Sequence, residues 1–402
     1  MEIYLFDRTL HMLGMLEAYT SLQWVRRFYK PGEFELVMPI PAADTDAASL
    51  LTLLQKENIV WPKGKDEAGV IDYTHPEMDD KGQETLDIKG TFLTGYLGRR
   101  IVWDNLYLTG TAESMMRTLV DKNAVSPSDS GRVIPMLSLG NTHGIADTGI
   151  YQTPDDGRDN LGDALNTLAA AADVGQHILF DLPNKSLKYE VWRGLNRTVG
   201  QSENPRAIFC REYENVLTQE YSDSNDDLRN VALVNGKFTY PVTTQKTDSD
   251  GNVTTETTDV EEAVAATVGT ASGLDRCEAY VSSDSSSKID TGAQDGDGNT
   301  IYTYLSKSDF LNLLAQDGTK ELAQHAEVQS FSSTINLYGN LSYQTDWDLG
   351  DSVTFFSRRW GLQLDTRITE VKETYEENGM TLDVTFGNDL PTLLDKIKRV
   401  VK

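Results

Sequence analysis

The chain has 402 residues, 39% of them hydrophobic and 24% charged, with 62 acidic against 36 basic side chains and a net charge of −26. That length predicts two to four domains, and the composition is that of a globular protein with no collagen-like, mucin-like or coiled-coil bias. So acidic a surface repels phosphate backbones and argues against sequence-specific nucleic-acid binding, while keeping the protein soluble. Two cysteines, Cys210 and Cys277, neither in a C-x-x-C, exclude a disulfide framework and a cysteine-rich zinc site. The N-terminal MEIYLFDRTLHMLG has no basic n-region and no cleavage site, and no apolar run is long enough to span a bilayer. No membrane insertion is expected, and synthesis is expected in the cytoplasm.

Residues 1–105 read mostly as strands. Ile3 and Leu5, then Phe34, Leu36 and Met38 in GEFELVMP, then Leu86 and Ile88, alternate with polar neighbours, the period of half-buried strands. Ala47, Leu50, Leu51 and Leu54 stand at i, i+3, i+4 and i+7 behind Asp44, which predicts one helix. A small β-barrel crossed by a helix fits this stretch.

Residues 106–205 change character. Thr111 caps a helix with the stripe Ala112, Met115, Met116 and Leu119, ending near Asn123; Asn160 caps another with Leu161, Ala164, Leu165 and Leu168. The Ser-, Asp-, Gly- and Thr-rich residues 126–160 predict an exposed loop. HILFDLPNKSLKYEVWRG predicts a hairpin around Pro183-Asn184, so this unit is α+β.

In residues 206–402, Val231 and Leu233 before Asn235-Gly236 predict a type I′ hairpin. Residues 241–300 hold few large apolar side chains, and 222–300 carry 15 acids against 5 bases. This predicts an insertion of exposed hairpins, whose excision from 243 to 298 should spare the fold. A helix is predicted over 307–326, with Gly318 breaking or kinking its stripe. Leu382, Val384 and Phe386 face one side of a strand joined to its predecessor through Asn378-Gly379. LPTLLDKIKRVVK predicts a last helix with a basic end.

Chemistry-bearing patterns are sparse. The five histidines, His11, His75, His143, His177 and His325, form no H-E-x-x-H; no G-x-S-x-G elbow and no P-loop occur. His75-Pro76-Glu77 has half of a deaminase signature without the P-C-x-x-C. His143 and Asp147 are spaced as two ligands on a helix, but NTHGIADTG is loop-like and no third ligand is visible. Asp248-Ser-Asp250-Gly-Asn252 and Asp295-Gly-Asp297-Gly-Asn299 resemble the start of a calcium loop, yet Val253 and Thr300 occupy the position that needs glycine. Hairpin tips are the better reading. The six tryptophans and 17 tyrosines show no cluster that makes a sugar platform and are assigned to β-cores or an interface. No catalytic, cofactor or metal residue is assigned.

Six motifs in order, GEFELVMP at 32–39, GYLGRRIVWD at 95–104, AESMMRTLVDKN at 112–123, VWRGLNRT at 191–198, NVALVNGKF at 230–238 and WDLGDSVTFF…RITEV from 347, resemble the ReqiPepy-type siphophage virion protein family. The family resembles the N-terminal hub part of tail-associated, Tal-like proteins. The resemblance implies an α+β, β-rich fold of two β-barrel-like modules flanking an α+β unit. The divisions are 1–105, 106–205 and 206–402, with the 241–300 insertion and the 307–326 helix in the last. It further implies a non-enzymatic homotrimer at the virion tail tip, contacting the distal tail protein, the tape-measure protein and fibre or receptor-binding proteins. A tail-borne wall hydrolase and a carbohydrate-binding module are the alternatives weighed against it.

Overall fold

The computed structural model describes residues 1–154, 159–247 and 253–387. Its first strands are β1 (Ile3–Phe6), β2 (Met12–Leu16), β3 (Ser21–Arg27) and β4 (Glu33–Pro39). Helix α1 (Asp44–Leu53) follows, then β5 (Ile59–Pro62), β6 (Gly69–Met78) and β7 (Glu84–Phe92). The expected alternation holds: Phe34, Leu36 and Met38 are buried with Leu86 and Ile88 around Trp24. Trp24 stands 5.8 Å from Phe34 and 4.3 Å from Phe92, ring centre to ring centre. Each such side chain stabilises the fold by roughly 1.5–3 kcal/mol relative to exposure. Ala43, not Asp44, is the cap residue of α1, and Leu50, Leu51 and Leu53 lay the helix on this core only half-buried.

The middle unit runs β8 (Tyr107–Thr111), α2 (Ala112–Val120), β9 (Leu137–Leu139), β10 (Thr148–Gln152), α3 (Leu161–Ala172), β11 (Gly175–Asp181) and β12 (Ser186–Trp192). Both predicted caps form: Ser114 N donates to the Thr111 hydroxyl at 3.1 Å and Asp163 N to Asn160 Oδ1 at 3.2 Å. The hairpin of β11 and β12 turns at residues 182–185 as expected. The exposed loop expected over 126–160 is corrected. This stretch holds β9 and β10, and it buries Ile134, Leu137, Ile145 and Tyr151 in the core of α2 and α3. Polar composition hid these anchors because they are spaced singly, without a period.

The last part holds β13 (Ile208–Phe209), β14 (Glu220–Ser224), β15 (Val231–Thr247), β16 (Val253–Val268), β17 (Glu278–Ser282), β18 (Lys288–Gln294) and β19 (Thr300–Tyr304). Helix α4 (Lys307–Gln324) leads into β20 (Val328–Thr334), β21 (Ser352–Ser357), β22 (Leu362–Glu376) and β23 (Gly379–Gly387). Asn235-Gly236 is not a turn: β15 passes straight through it and pairs with β16 along its length. Gly236 is there because α4 lies on it, so that a Cβ would stand 2.7 Å from Leu314. Gly318 likewise does not break α4. Its missing side chain lets the helix approach Val234 and Val268, which would lie 2.8 and 2.9 Å from a Cβ. The 241–300 stretch is exposed in its distal hairpins, while β16 and β17 pack with β15 against Phe310, Leu313 and Leu314. The segment 248–252 and the basic LPTLLDKIKRVVK lie outside the described residues.

The first and last β-units are one sheet. Thirteen strands belong to it, in the order β14-β20-β23-β22-β3-β4-β7-β6-β5-β1-β2, with β21 and β13 branching from β22. The seam is the antiparallel ladder of β22 and β3, from Glu370 opposite Arg27 to Glu376 opposite Ser21. Two separate apolar cores lie on either side of that seam.

Candidate functional site

The seam gathers a cluster of buried, mutually paired charged side chains. Arg26 projects from β3 between the units, donates to Tyr343 Oη at 2.9 Å, and pairs with Asp348 at 2.8 Å and Glu67 at 3.2 Å. Burial alone would weaken its protonation, but Tyr343, Asp348 and Glu67 outweigh that and hold it firmly cationic. Burial pushes the Glu67 carboxyl up, against the pull of Arg26. Next to them Glu373 of β22, fully buried, is paired with Lys65 and accepts hydrogen bonds from Tyr343 and Tyr375. Burial first, then the Glu373 carboxylate, pushes the Tyr375 phenol far above the ordinary tyrosine range, and burial does the same to Tyr343 against the opposing pull of Arg26. Buried ions are tolerated only when paired this fully.

The Asp348-Leu349-Gly350-Asp351 turn closes the arrangement. Asp348 reaches the first unit through Arg26, and Asp351 reaches the middle unit. Leu195 N donates to Asp351 Oδ1 at 2.6 Å, and Arg197 Nε and Asp348 N donate to Oδ2 at 2.8 and 3.1 Å. Gly350 has φ +84°, and a Cβ on it would stand 2.5 Å from Trp192 and 2.6 Å from Phe28. Gly194 lies against the same turn, its absent Cβ only 2.2 Å from Gly350 C and O. Asp173, the left-handed residue that ends α3, accepts from Tyr29 Oη at 2.8 Å and Arg367 Nε at 2.7 Å. VWRGLNRT and WDLGD, far apart in sequence, are thus the two halves of one joint.

The candidate ligands are dispersed. His143 faces Glu190 at 2.8 Å, while Asp147 pairs with Arg193 at 2.9 Å, so the two do not converge. Buried Glu113 and Glu190 accept from the backbone of His143, Ile145 and Asn141 and hold that loop in place. His177 packs on Trp192 with ring centres 5.5 Å apart; burial, then Arg26 and His143, push it down to about 3. His75 lies beside Tyr73 on β6, and His325 pairs with Asp227 and Glu321. Asp295 accepts from the backbone of Asp297 and Asn299, both at 2.9 Å, which makes 295–299 a hairpin tip. Among the described residues no group of three or more His, Cys, Asp or Glu side chains is arranged to hold a metal ion. A cleft of about 670 Å³ between α2, α3 and α4 includes Met115, Asp147, Gly149, Arg193, Gln316 and Lys320. Its charges are already paired, Asp147 with Arg193 and Lys320 with Asp317. Arg26, Lys65, Glu67 and Glu373 escaped sequence reasoning. The signal that could have found Arg26 is the Arg pair inside the apolar run LQWVRRF.

The family model of the siphovirus ReqiPepy6 Gp37-like proteins matches residues 2–388. The chain belongs to that family. Among solved structures, the family's chain is similar to the 43 kDa tail protein of prophage MuSo2 from Shewanella oneidensis. The TM-score is 0.55 at 13% identity, over 96% of this chain and 98% of the other. It is similar to a tail protein from Neisseria meningitidis MC58, at TM-score 0.53 and 11% identity over 96% of each chain. It is also similar to the prophage tail protein gp18 from Listeria monocytogenes EGD-e, at TM-score 0.52 and 13% identity over 100% and 98%. These likenesses carry the β-rich fold from end to end. No curated protein sequence matches the chain. Among the described residues no helix is long and apolar enough to cross a membrane.

Proposed function

We propose that this protein is a structural, non-enzymatic subunit of a phage or prophage tail. In that reading it sits at the tail tip or baseplate as the hub that closes the tube and anchors receptor-binding parts. The observation that carries the reading is the seam. Two β-units, separated by the whole middle of the chain, are locked into one sheet by buried ion pairs and by a turn that grips all three units. A similar fold runs the length of three tail proteins, two of them from prophages. Such a joint sets the angle between two lobes, which suits a part that transmits load more than one that turns over substrate. We read the divisions near 105 and 205 as the borders of those units. We also read the assembly as a homotrimer between the distal tail protein and tape-measure protein on one side and fibre or receptor-binding proteins on the other.

Light scattering over a dilution series tests the reading. A stable mass near three times the 44.7 kDa chain supports the hub. A single-chain mass at every concentration refutes intrinsic trimerisation, and clearing of cell walls in zymography refutes the non-enzymatic assignment.

A further inference from the structure

Strand β22 runs between two hairpin tips of opposite charge. Its first residue, Leu362, faces Ser357 of β21 across Arg358-Arg359-Trp360-Gly361, and its last, Glu376, faces Gly379 of β23 across Glu377-Asn378. Its 15 residues, at about 3.3 Å each, hold the tips roughly 50 Å apart. At the first tip both arginines are exposed, and Trp360 is 44% exposed. Among the described residues every arginine has a side-chain hydrogen bond or an ion pair except Arg211, Arg358 and Arg359. Arg211 stands at the same end of the sheet, because β13 runs parallel to β21 with Phe209 opposite Phe355. Its neighbours Glu212 and Glu214 are acids, but Val353 to Leu364 contains none. The second tip shares its level with the turn of β6 and β7: Glu376 is opposite Ser21, Ser21 opposite Val37, Val37 opposite Asp87 and Asp87 opposite His75. That end presents exposed Glu77, Asp80, Glu84, Glu376 and Glu377, with Lys81 the base among them. Among the described residues these five carboxylates have no ion pair or hydrogen bond.

We infer that the Arg358-Arg359-Trp360 tip docks on the acidic tips of a second copy of this chain, head to tail. Each copy carries a net charge of −26, so two copies repel over most faces, and the arginine tip is where opposite signs meet. Arginine and tryptophan are also the side chains that anchor protein interfaces. Trp360 brings apolar area, and the guanidiniums fork onto carboxylates that have no partner within their own chain. The contact is heterologous, and three copies joined by it close the ring. This inference rests on the self-association proposed above and names the surfaces that carry it.

Charge reversal on the full chain, read by light scattering, tests it. With Arg358→Glu and Arg359→Glu the mass is expected to fall about threefold, to one chain, with an unchanged circular dichroism spectrum. Lys30→Glu with Lys122→Glu alters the net charge equally at exposed positions outside both tips, and is expected to keep the mass. Adding Glu84→Lys, Glu376→Lys and Glu377→Lys to the chain with the acidic tip is expected to restore association. Trp360→Ser is expected to raise the dissociation constant about tenfold. If wild type self-associates and the Arg358→Glu, Arg359→Glu variant keeps its mass, or the lysine control loses it equally, the inference is overturned and the hub reading stands. A wild type that stays monomeric at every concentration overturns both this contact and intrinsic trimerisation. An unchanged mass together with lost binding of a single-stranded oligonucleotide would make the tip a nucleic-acid contact and overturn the inference.

Discussion

Removing the Asp351 carboxylate tests whether the joint holds the three units together. In Asp351→Ala the Leu195 and Asp348 amides lose acceptors at 2.6 and 3.1 Å, and the largely buried Arg197 guanidinium loses its partner at 2.8 Å. Each orphaned amide costs about 1–3 kcal/mol, and the stranded cation adds a similar amount, so a loss of about 4 kcal/mol is expected. Asp351→Asn keeps one acceptor oxygen for Leu195 but turns an NH₂ toward the two remaining donors, for a loss of about 2–3 kcal/mol. Because burial already pushes the Asp351 carboxyl up, the hydrogen bonds and not the charge alone should carry the effect. Arg197→Ala in the Asp351→Ala background should then cost at least 1 kcal/mol less than in wild type. Denaturant unfolding followed by tryptophan fluorescence reads this directly, since Trp347 immediately precedes the turn and Trp192 packs against it. A loss below about 1 kcal/mol for Asp351→Ala, far under the cost of two orphaned amides, would refute the keystone role of the turn.

Gly350→Ala and Gly361→Ala separate backbone strain from crowding. Both glycines have positive φ, at +84° and +66°, but only the first is crowded. Gly361→Ala should cost about 1 kcal/mol, and Gly350→Ala at least about 3 kcal/mol or loss of soluble protein, by thermal melting. His177 is half-buried against Trp192 and neutral in the fold, its folded value near 3 lying below the unfolded 6.5. Between those values the unfolded chain binds the extra proton, so stability falls as pH falls. From pH 7 to 5 the ring contributes about 1–2 kcal/mol of that fall, and His177→Gln should flatten the profile by that amount in denaturant titrations. Excising 243–298 would remove the end of β15 and all of β16, β17 and β18, so contrary to the sequence expectation it should unfold the lobe around α4. Shortening only the distal ribbon, by joining Val242 to Thr258 through a two-residue turn, should leave the denaturation midpoint within about 0.5 kcal/mol of wild type.

How much was legible follows from range. Caps such as Thr111 and Asn160 act within three residues, and the strand alternation of 32–39 within eight, so both were readable. Asn235-Gly236 misled because its turn propensity is local, while the glycine answers to Leu314, far along the chain. Ile134, Leu137 and Ile145 anchor a polar stretch one at a time and leave no periodic trace. The seam was invisible for the same reason: Arg26 meets Asp348 across 322 positions, and no local pattern predicts such a partner. The WDLGD turn stood out as a motif, but its meaning lay in Leu195 and Arg197.

The β3–β22 ladder has a kinetic consequence. Arg27 and Glu370, bonded across the seam, are 343 residues apart, so β3 must wait for nearly the whole described chain before it finds its neighbour. Until β22 is synthesised, β3 is an edge with Trp24 and Val25 beside unpaired backbone. Closing so long a loop makes the seam a late and slow step. The nascent chain is then most prone to aggregate just before its last strands emerge from the ribosome.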